Sequence, residues 1–361
     1  MRILLIRLRL IGDVVFTTPI LRALRRQMPG ARLSYLVEPH AAPVVTGNPH
    51  LDEVIVACRP DARGRLAADL HLARRLRASR YDLVLDLHGG PRSAMLAWAT
   101  GAPRRIGYAV AGRGWMYTER VARARTLRPR HSVVNQWDLL TPLGFEPPDP
   151  ERDATEMVAL PAAASSVATK LASAGVDPRR DPVIALHVSA GNPFRRWPAA
   201  SFVALLTALL HDNPRRRVVV VSGPSEHAAA HQIGEQARAA LGALGRGIVD
   251  NVEFNLAELR ALMDVAALFV GGDSGPLHVA GTTAVPVVGL YGPTLAARSA
   301  PWRPARFVTE SIELPDLACR PCDQRQCEPG DYRCLGLISP GQVAEAAERA
   351  LARGHGIGRN V

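Results

Sequence analysis

The chain has 361 residues, 47% of them hydrophobic and 21% charged. That excludes a disordered chain and gives a prior of about two domains. Lysine and arginine outnumber aspartate and glutamate by 44 to 33, a net charge of +11, which fits an anionic partner or an Arg-rich composition without further meaning, while seven Phe and six Tyr are too few for a single-stranded nucleic-acid platform.

The opening MRILLIRLRLIGDVVF has the look of a leader, but Arg7, Arg9 and Asp13 interrupt its apolar run and no small-residue cleavage site follows. ILLI (3–6) reads as a buried strand, and a helix is expected from Asp13 to about Gln27. RLSYLV (32–37), EVIVA (53–57) and DLVLDLH (82–88) repeat the strand signal, with an Arg- and Ala-rich helix over 64–79. Short apolar runs alternating with helices predict parallel strands covered on both faces. FEPPDPERD (145–153) is a loop, a helix follows over 162–174, and GVDPRRDP (175–182) breaks it; the domain boundary is expected here.

The alternation then restarts. VIALHV (183–188), RVVVVSG (217–223), ALFVGG (267–272) and VPVVGLY (285–291) read as strands, with helices over 198–211, 225–241, 256–264 and 274–282 and a final amphipathic helix over 340–353. The longest run free of Asp, Glu, Lys and Arg, 274–297, carries seven glycines and prolines, too many breakers for a spanning helix. The expectation is a soluble, cytoplasmic protein of two doubly wound α/β domains in tandem, whose basic charge is compatible with peripheral contact at an inner leaflet.

Five segments are candidates for chemistry. In RLRLIGDVVFTTP (7–19) a strand ends, Gly12 turns the chain, and Asp13 opens a helix; Asp13 reads as an N-cap or as a carboxylate in a ligand cleft. HVSAGNPFRRWPAASF (187–202) places Ser189, Gly191, Asn192, Arg195 and Arg196 between a strand and a helix, an inventory suited to a diphosphate, or a solvated Arg pair beside a core Trp197. In SGPSEHAAAHQI (222–233) Glu226 either favours a helix dipole or accepts hydrogen bonds from sugar hydroxyls. In GGDSGPLHVAGTTAVPVVGLYGPT (271–294) Asp273, Ser274 and Gly275 start a helix whose amides could face an anion, with His278 a turn further in, where a core histidine is the plain alternative. A serine-hydrolase reading fails, because Gly272-Asp273-Ser274-Gly275-Pro276 ends in Pro where the nucleophile elbow needs Gly. Finally Cys319, Cys322, Cys327 and Cys334 have the spacing C-x2-C-x4-C-x6-C, open to a structural zinc site, reduced thiols, disulfides in an oxidising compartment, or an iron–sulfur cluster. Cys58 stands alone and reads as a small buried residue.

These motifs, in this order, resemble the ADP-heptose:lipopolysaccharide heptosyltransferase family, glycosyltransferase family 9, from residue 1 to about 350. RILLIRLRLIGDVVFTTPILRALRRQMPGARLSYLV, SAGNPFRRWP, GPSEH and GGDSGPLHVAG…PVVGLYGPT carry the resemblance, with the Cys-rich tail. It implies a GT-B fold, two Rossmann-like doubly wound domains facing across a cleft: an acceptor domain over 1–160, a nucleotide-sugar domain over 175–338, and a helix and tail over 339–361 crossing back to the first domain. It implies an inverting, metal-independent transfer of heptose from ADP-heptose to an inner-core lipopolysaccharide sugar. Asp13 would be the general base, and Ser189, Arg195, Arg196, Glu226, Asp273, Ser274, Gly275 and His278 the donor-binding residues. The family usually has Lys where Arg195 stands and often Thr where Ser274 stands. Arg63, Arg65, Arg92, Arg104, Arg105, Arg113, Arg120 and Arg123 are expected to form a face for the anionic acceptor. Two other readings remain: a GT-B enzyme using another nucleotide sugar, and a nucleotide- or glycan-binding protein without turnover.

Overall fold

In a computed structural model, which describes residues 1–58, 64–123, 130–189 and 192–357, the chain divides into two units, Met1–Val158 and Ala159–Val361. In the first, β1 (Arg2–Ile6), β2 (Arg32–Val37), β3 (Glu53–Val56), β4 (Leu83–Asp86), β5 (Arg104–Tyr108) and β6 (Glu119–Val121) form one parallel sheet in the order β3-β2-β1-β4-β5-β6. Ile3, Leu4, Leu5 and Ile6 are all fully buried, as a central strand covered on both faces requires. The helices are α1 (Ile11–Val15), α2 (Thr18–Gln27), α3 (Arg65–Ala78), α4 (Pro91–Ala99) and α5 (Ser132–Trp137). The single helix expected over 13–27 is thus two. Thr17 Oγ1 turns back to donate to Val14 O at 2.7 Å, and Pro19 has no N–H to carry the ladder on.

The second unit repeats the plan. Its strands are β7 (Val183–His187), β8 (Arg217–Val221), β9 (Ile248–Val249), β10 (Leu268–Gly272), β11 (Val287–Tyr291) and β12 (Thr309–Glu313), all parallel in the order β12-β11-β10-β7-β8-β9. Numbered within their own unit, both sheets read 3-2-1-4-5-6, the doubly wound dinucleotide-fold order. Around the second sheet lie α6 (Pro161–Ser173), α7 (Ala199–Asp212), α8 (His227–Leu241), α9 (Leu256–Val265), α10 (Gly275–Ala280), α11 (Ala296–Ser299), α12 (Arg333–Gly336) and α13 (Pro340–Ile357).

The division between Val158 and Ala159 assigns α6, which the expected boundaries place between the domains, to the second unit. It packs on α9, where Ser166 Oγ and Lys170 Nζ reach Glu258 at 2.6 and 2.7 Å. The terminal helix, expected to cross back to the first domain, lays its buried face of Val343, Ala346, Ala347 and Ala350 on α7, β10, β11 and β12. Among the described residues no helix is long and apolar enough to cross a membrane.

Candidate active site

In each unit the strand order reverses between the first and fourth strands, and ligands of open α/β sheets bind at the carboxyl ends of that pair. In the second unit the pair is β7 and β10, with His187 in register with Gly271. His187 ends β7 and joins both sides of the crevice. Its Nε2 lies 3.0 Å from Ser189 Oγ, and its Nδ1 lies 3.4 Å from Ser274 Oγ. Ser189 Oγ also accepts from Gly223 N at 3.1 Å, which brings in the end of β8, and Ser274 Oγ donates to Gly272 O at 3.1 Å. The imidazole is buried, and burial depresses its pKa to about 4, so it stands neutral with one donor and one acceptor nitrogen.

Arg195 closes the same ring. Its Nη1 donates to Asp273 O at 3.0 Å and lies 3.5 Å from Asp273 Oδ2, while its Nε donates to Gln324 Oε1 at 2.8 Å. Asn192 Nδ2 donates to the same Gln324 oxygen at 2.8 Å. Gly272 lets the two backbone segments approach closely here, since a Cβ at that position would stand 3.3 Å from Arg195 O, tighter than most such contacts. Asp273 is 2% exposed. Burial pushes its carboxyl up, but His278 Nε2 at 3.4 Å, the Arg195 guanidinium and the Thr294 hydroxyl outweigh burial and hold it at about 2. Asp273 is therefore a fixed carboxylate that organises cations around it. Gly275 and Pro276 open α10 directly after Ser274.

Arg196 points the other way, with Nη2 3.5 Å from Glu226 Oε1. Beside this pair opens a cavity of ≈ 400 Å³, lined by Val188, Arg196, Trp197, Ala229, Ile233 and Tyr332 among others. The structure thus brings Ser189, Arg195, Asp273, Ser274, Gly275 and His278 into one crevice, and Arg196 with Glu226 beside it. Gly191 lies outside the described residues.

In the first unit, Asp13 follows β1 at the corresponding reversal, beside β4. Its Oδ2 accepts an ion pair from Arg7 Nη2 at 2.6 Å and a long bond from Leu10 N at 3.4 Å. Its side chain is 36% exposed, and Oδ1 carries no described contact. The other guanidinium nitrogen of Arg7 donates to Leu87 O at 2.6 Å, tying Asp13 to the end of β4. There the buried Asp86 accepts from His88 N and Gly89 N, each at 3.0 Å, and from Tyr117 Oη at 2.6 Å. Burial, and then the nearby Arg7 charge, depress His88 to about 4, and burial raises the Asp86 carboxyl against its hydrogen bonds from Tyr117, Gly89 and His88.

The expected Arg face is only partly available. Arg92 is held by Glu38 and Asp69 at 2.8 and 2.7 Å, and Arg104 by Glu119 at 2.8 Å. Arg123 stacks over Tyr108. Arg63 and the Arg65 side chain lie outside the described residues.

Cys319, Cys322, Cys327 and Cys334 are free thiols, partly buried. Burial raises the Cys334 thiol, and the other three cysteines add to the rise after Arg320 opposes it. Four thiols are donor chemistry for zinc, yet among the described residues no group of three or more His, Cys, Asp or Glu is arranged to hold a metal ion. Instead the segment supplies Gln324 to Arg195 and Asn192. Cys58, expected to be buried, is exposed just beyond β3.

Four contributors escaped the sequence reading: His187, Gln324, Thr294 and Arg7. His187 and Arg7 sit in strand-like apolar runs, and a polar residue at the carboxyl end of such a run is the signal that marks them.

A family model of glycosyltransferase family 9 (heptosyltransferase) matches residues 70–332. The chain is 28% identical over 298 residues to lipopolysaccharide heptosyltransferase 3 of Escherichia coli, covering 82% of this chain and 84% of that protein. Among solved structures it is similar to the family 9 glycosyl transferase of Veillonella parvula DSM 2008, with a TM-score of 0.82, 25% identity and 97% of each chain covered. It also shares the fold of the E. coli ADP-heptose lps heptosyltransferase II, with a TM-score of 0.76 and 20% identity over 98% of this chain and 100% of that one.

Proposed function

The chain belongs to glycosyltransferase family 9, the heptosyltransferase family, and from that premise we propose that it moves a heptose from ADP-heptose to an inner-core lipopolysaccharide sugar, with inversion at the anomeric carbon. The observation that carries this reading is the ring at the ends of β7, β8 and β10. Two hydroxyls and an anchored guanidinium, set around a buried carboxylate, suit the diphosphate of a nucleotide sugar.

In the first unit, Asp13 Oδ1 takes the proton from the acceptor hydroxyl as that oxygen attacks the anomeric carbon. Arg7 holds the carboxylate through Oδ2, which leaves Oδ1 to the acceptor hydroxyl. The bond from the anomeric carbon to the diphosphate oxygen breaks, and the sugar passes through an oxocarbenium-like transition state. Negative charge grows on the departing ADP. Arg195 supplies the counter-charge, with the Ser189 and Ser274 hydroxyls beside it, fixed before the reaction begins, and Arg196 adds positive charge from the adjoining cavity. The scheme requires no metal, because the guanidiniums fill that role. Glu226 is the candidate acceptor for ribose hydroxyls.

Thermal unfolding with ADP, UDP, GDP and CDP at equal concentration tests the donor. A specific ligand at 100 times its Kd stabilises by ~2.7 kcal/mol. Selective stabilisation by ADP, followed by release of ADP from ADP-heptose on addition of a core acceptor, is the expected result. Selective stabilisation by UDP or GDP would move the chain to another nucleotide sugar, and turnover with no donor would leave a binding protein.

A further inference from the structure

The outer stripe of α4 is apolar where a helix covering a sheet should present polar side chains to water. Ser93, Ala94, Leu96 and Ala97 face the core. On the opposite side Met95 is 40% exposed and Trp98 50% exposed. Trp98 packs edge-on against Trp115, 61% exposed on the short turn Gly114–Met116, with ring centroids 5.8 Å apart. α3 lies alongside α4, tied to it by the Asp69–Arg92 ion pair, and it exposes Leu66 by 82% and Leu70 by 49%. Scattered exposed apolar residues need no explanation, but a concentration of them does. Five of the large exposed hydrophobics among the described residues sit on these three neighbouring elements.

The unit that carries them is net positive. Residues 1–158 contain 24 arginines and 15 acidic residues, a balance of +9, which leaves only +2 of the total +11 for the rest of the chain. Three of these arginines abut the turn that carries Trp115. Arg105 Nε donates to Met116 O at 2.8 Å, Arg113 donates to Gly89 O at 3.2 Å, and the Arg120 side chain lies over Gly114. Among the described residues none of the three is paired with a carboxylate, in contrast to Arg92 and Arg104.

We propose that this face of α3, α4 and the Gly114–Met116 turn docks the protein on an anionic lipid bilayer. Tryptophan suits the bilayer interface, where its ring sits among headgroups with one side apolar and the indole N–H wet. Unpaired guanidiniums beside it meet lipid phosphates, and the two signals together hold a surface protein where neither alone would. A second copy of this chain fits the face poorly, since it would bring the same positive charge against itself. The inference does not rest on the transferase reading, because docking requires neither donor nor acceptor.

The test is co-sedimentation of the full chain with vesicles of phosphatidylethanolamine and phosphatidylglycerol, against vesicles of phosphatidylcholine alone. Binding is expected only to the anionic vesicles, with a blue shift of tryptophan emission. Trp137 and Trp197 are each only 4% exposed and contribute little to that shift. The double variant Trp98→Ser, Trp115→Ser should weaken vesicle binding about tenfold or more, and Arg113→Gln with Arg120→Gln should weaken it and flatten its salt dependence. The tryptophan variant should keep the thermal shift with ADP, which reads the second unit. If the double variant fails to fold, Met95→Glu probes the same stripe. Unchanged vesicle binding in the variants overturns the proposal, as does equal binding to both vesicle types. A dimer by light scattering that the tryptophan variant dissociates, without vesicle binding, makes the face a self-interface and overturns it too.

Discussion

Arg7 Nη2 lies 2.6 Å from Asp13 Oδ2, and the same guanidinium holds Leu87 O at 2.6 Å through Nη1. One side chain therefore fixes the carboxylate against the ends of both β1 and β4, where the strand order of the first sheet reverses. The fork of arginine makes this possible, because two separate nitrogens reach two acceptors in fixed directions.

Asp13→Asn keeps the shape and removes the base. Turnover should fall by about 10²–10⁴-fold, while ADP affinity measured by calorimetry stays unchanged. Normal turnover would remove Asp13 from the mechanism. Arg7→Lys keeps the charge, but a single ammonium loses the fork and cannot hold both contacts in the same geometry. It should lower kcat by about tenfold with little change in the donor KM; a loss confined to donor KM would contradict a role through Asp13.

Arg195 tests the other crevice. Its contacts to Asp273 O and Gln324 Oε1 hold the guanidinium in place before any ligand arrives. A hydrogen bond to a charged group contributes about 1.5–3 kcal/mol, so Arg195→Ala should weaken ADP binding roughly ten- to a hundredfold. Arg195→Lys should recover part of that loss through charge alone. An alanine variant that binds ADP like the parent would show that the diphosphate sits elsewhere.

Much of this architecture is legible in the chain because buried parallel strands are nearly pure apolar runs. ILLI, RLSYLV, VIALH and VVGLY announce themselves, and a Gly, Ser or Asp directly after such a run marks the ligand end. The edge strands do not. β6 (ERV) and β12 (TESIE) lie at sheet edges with partly exposed side chains, so their residues carry little hydrophobic signal. The same physics hid His187: its neighbours are apolar, and only the tertiary meeting of β7 with β10 gives its two nitrogens their serines. The cysteine segment is legible in another way. Its spacing is a strong local pattern, while the contact observed for that segment is made by Gln324, which no pattern singles out.

Stability should depend on pH through His187. Its folded pKa is depressed from 6.5 to about 4, so between those values the unfolded chain binds a proton that the folded chain does not. Stability is then full above the unfolded pKa and is lost as pH falls from about 6.5 towards 4. At 1.36 kcal/mol per unit the loss from His187 is about 3 kcal/mol, and the half-buried His88 adds in the same window and direction. Asp273, held at about 2, adds a second loss only below its unfolded value of 3.8. Thermal melts from pH 8 to pH 4 should be flat at first and then fall. His187→Gln should shrink the fall between 6.5 and 4, and an unchanged slope in that variant would show that the imidazole is not buried neutral.

Salt should separate the two substrates. The excess positive charge belongs to residues 1–158, and the exposed Arg120 and the half-buried Arg105 and Arg113 have no described carboxylate partner, so an anionic acceptor meets cations that no carboxylate neutralises. Such attraction is screened as the Debye length shrinks from ≈ 10 Å at 0.1 M to 3 Å at 1 M. The donor crevice differs: Arg195 is anchored by Gln324 and by a nearly buried Asp273, and partly buried pairs are screened less. With a soluble, delipidated core acceptor, its KM should rise severalfold between low and high salt while the KM for ADP-heptose changes less. Parallel rises in both constants would assign the salt effect to the donor crevice, and a constant acceptor KM would show that the arginines of the first unit do not meet the acceptor at all.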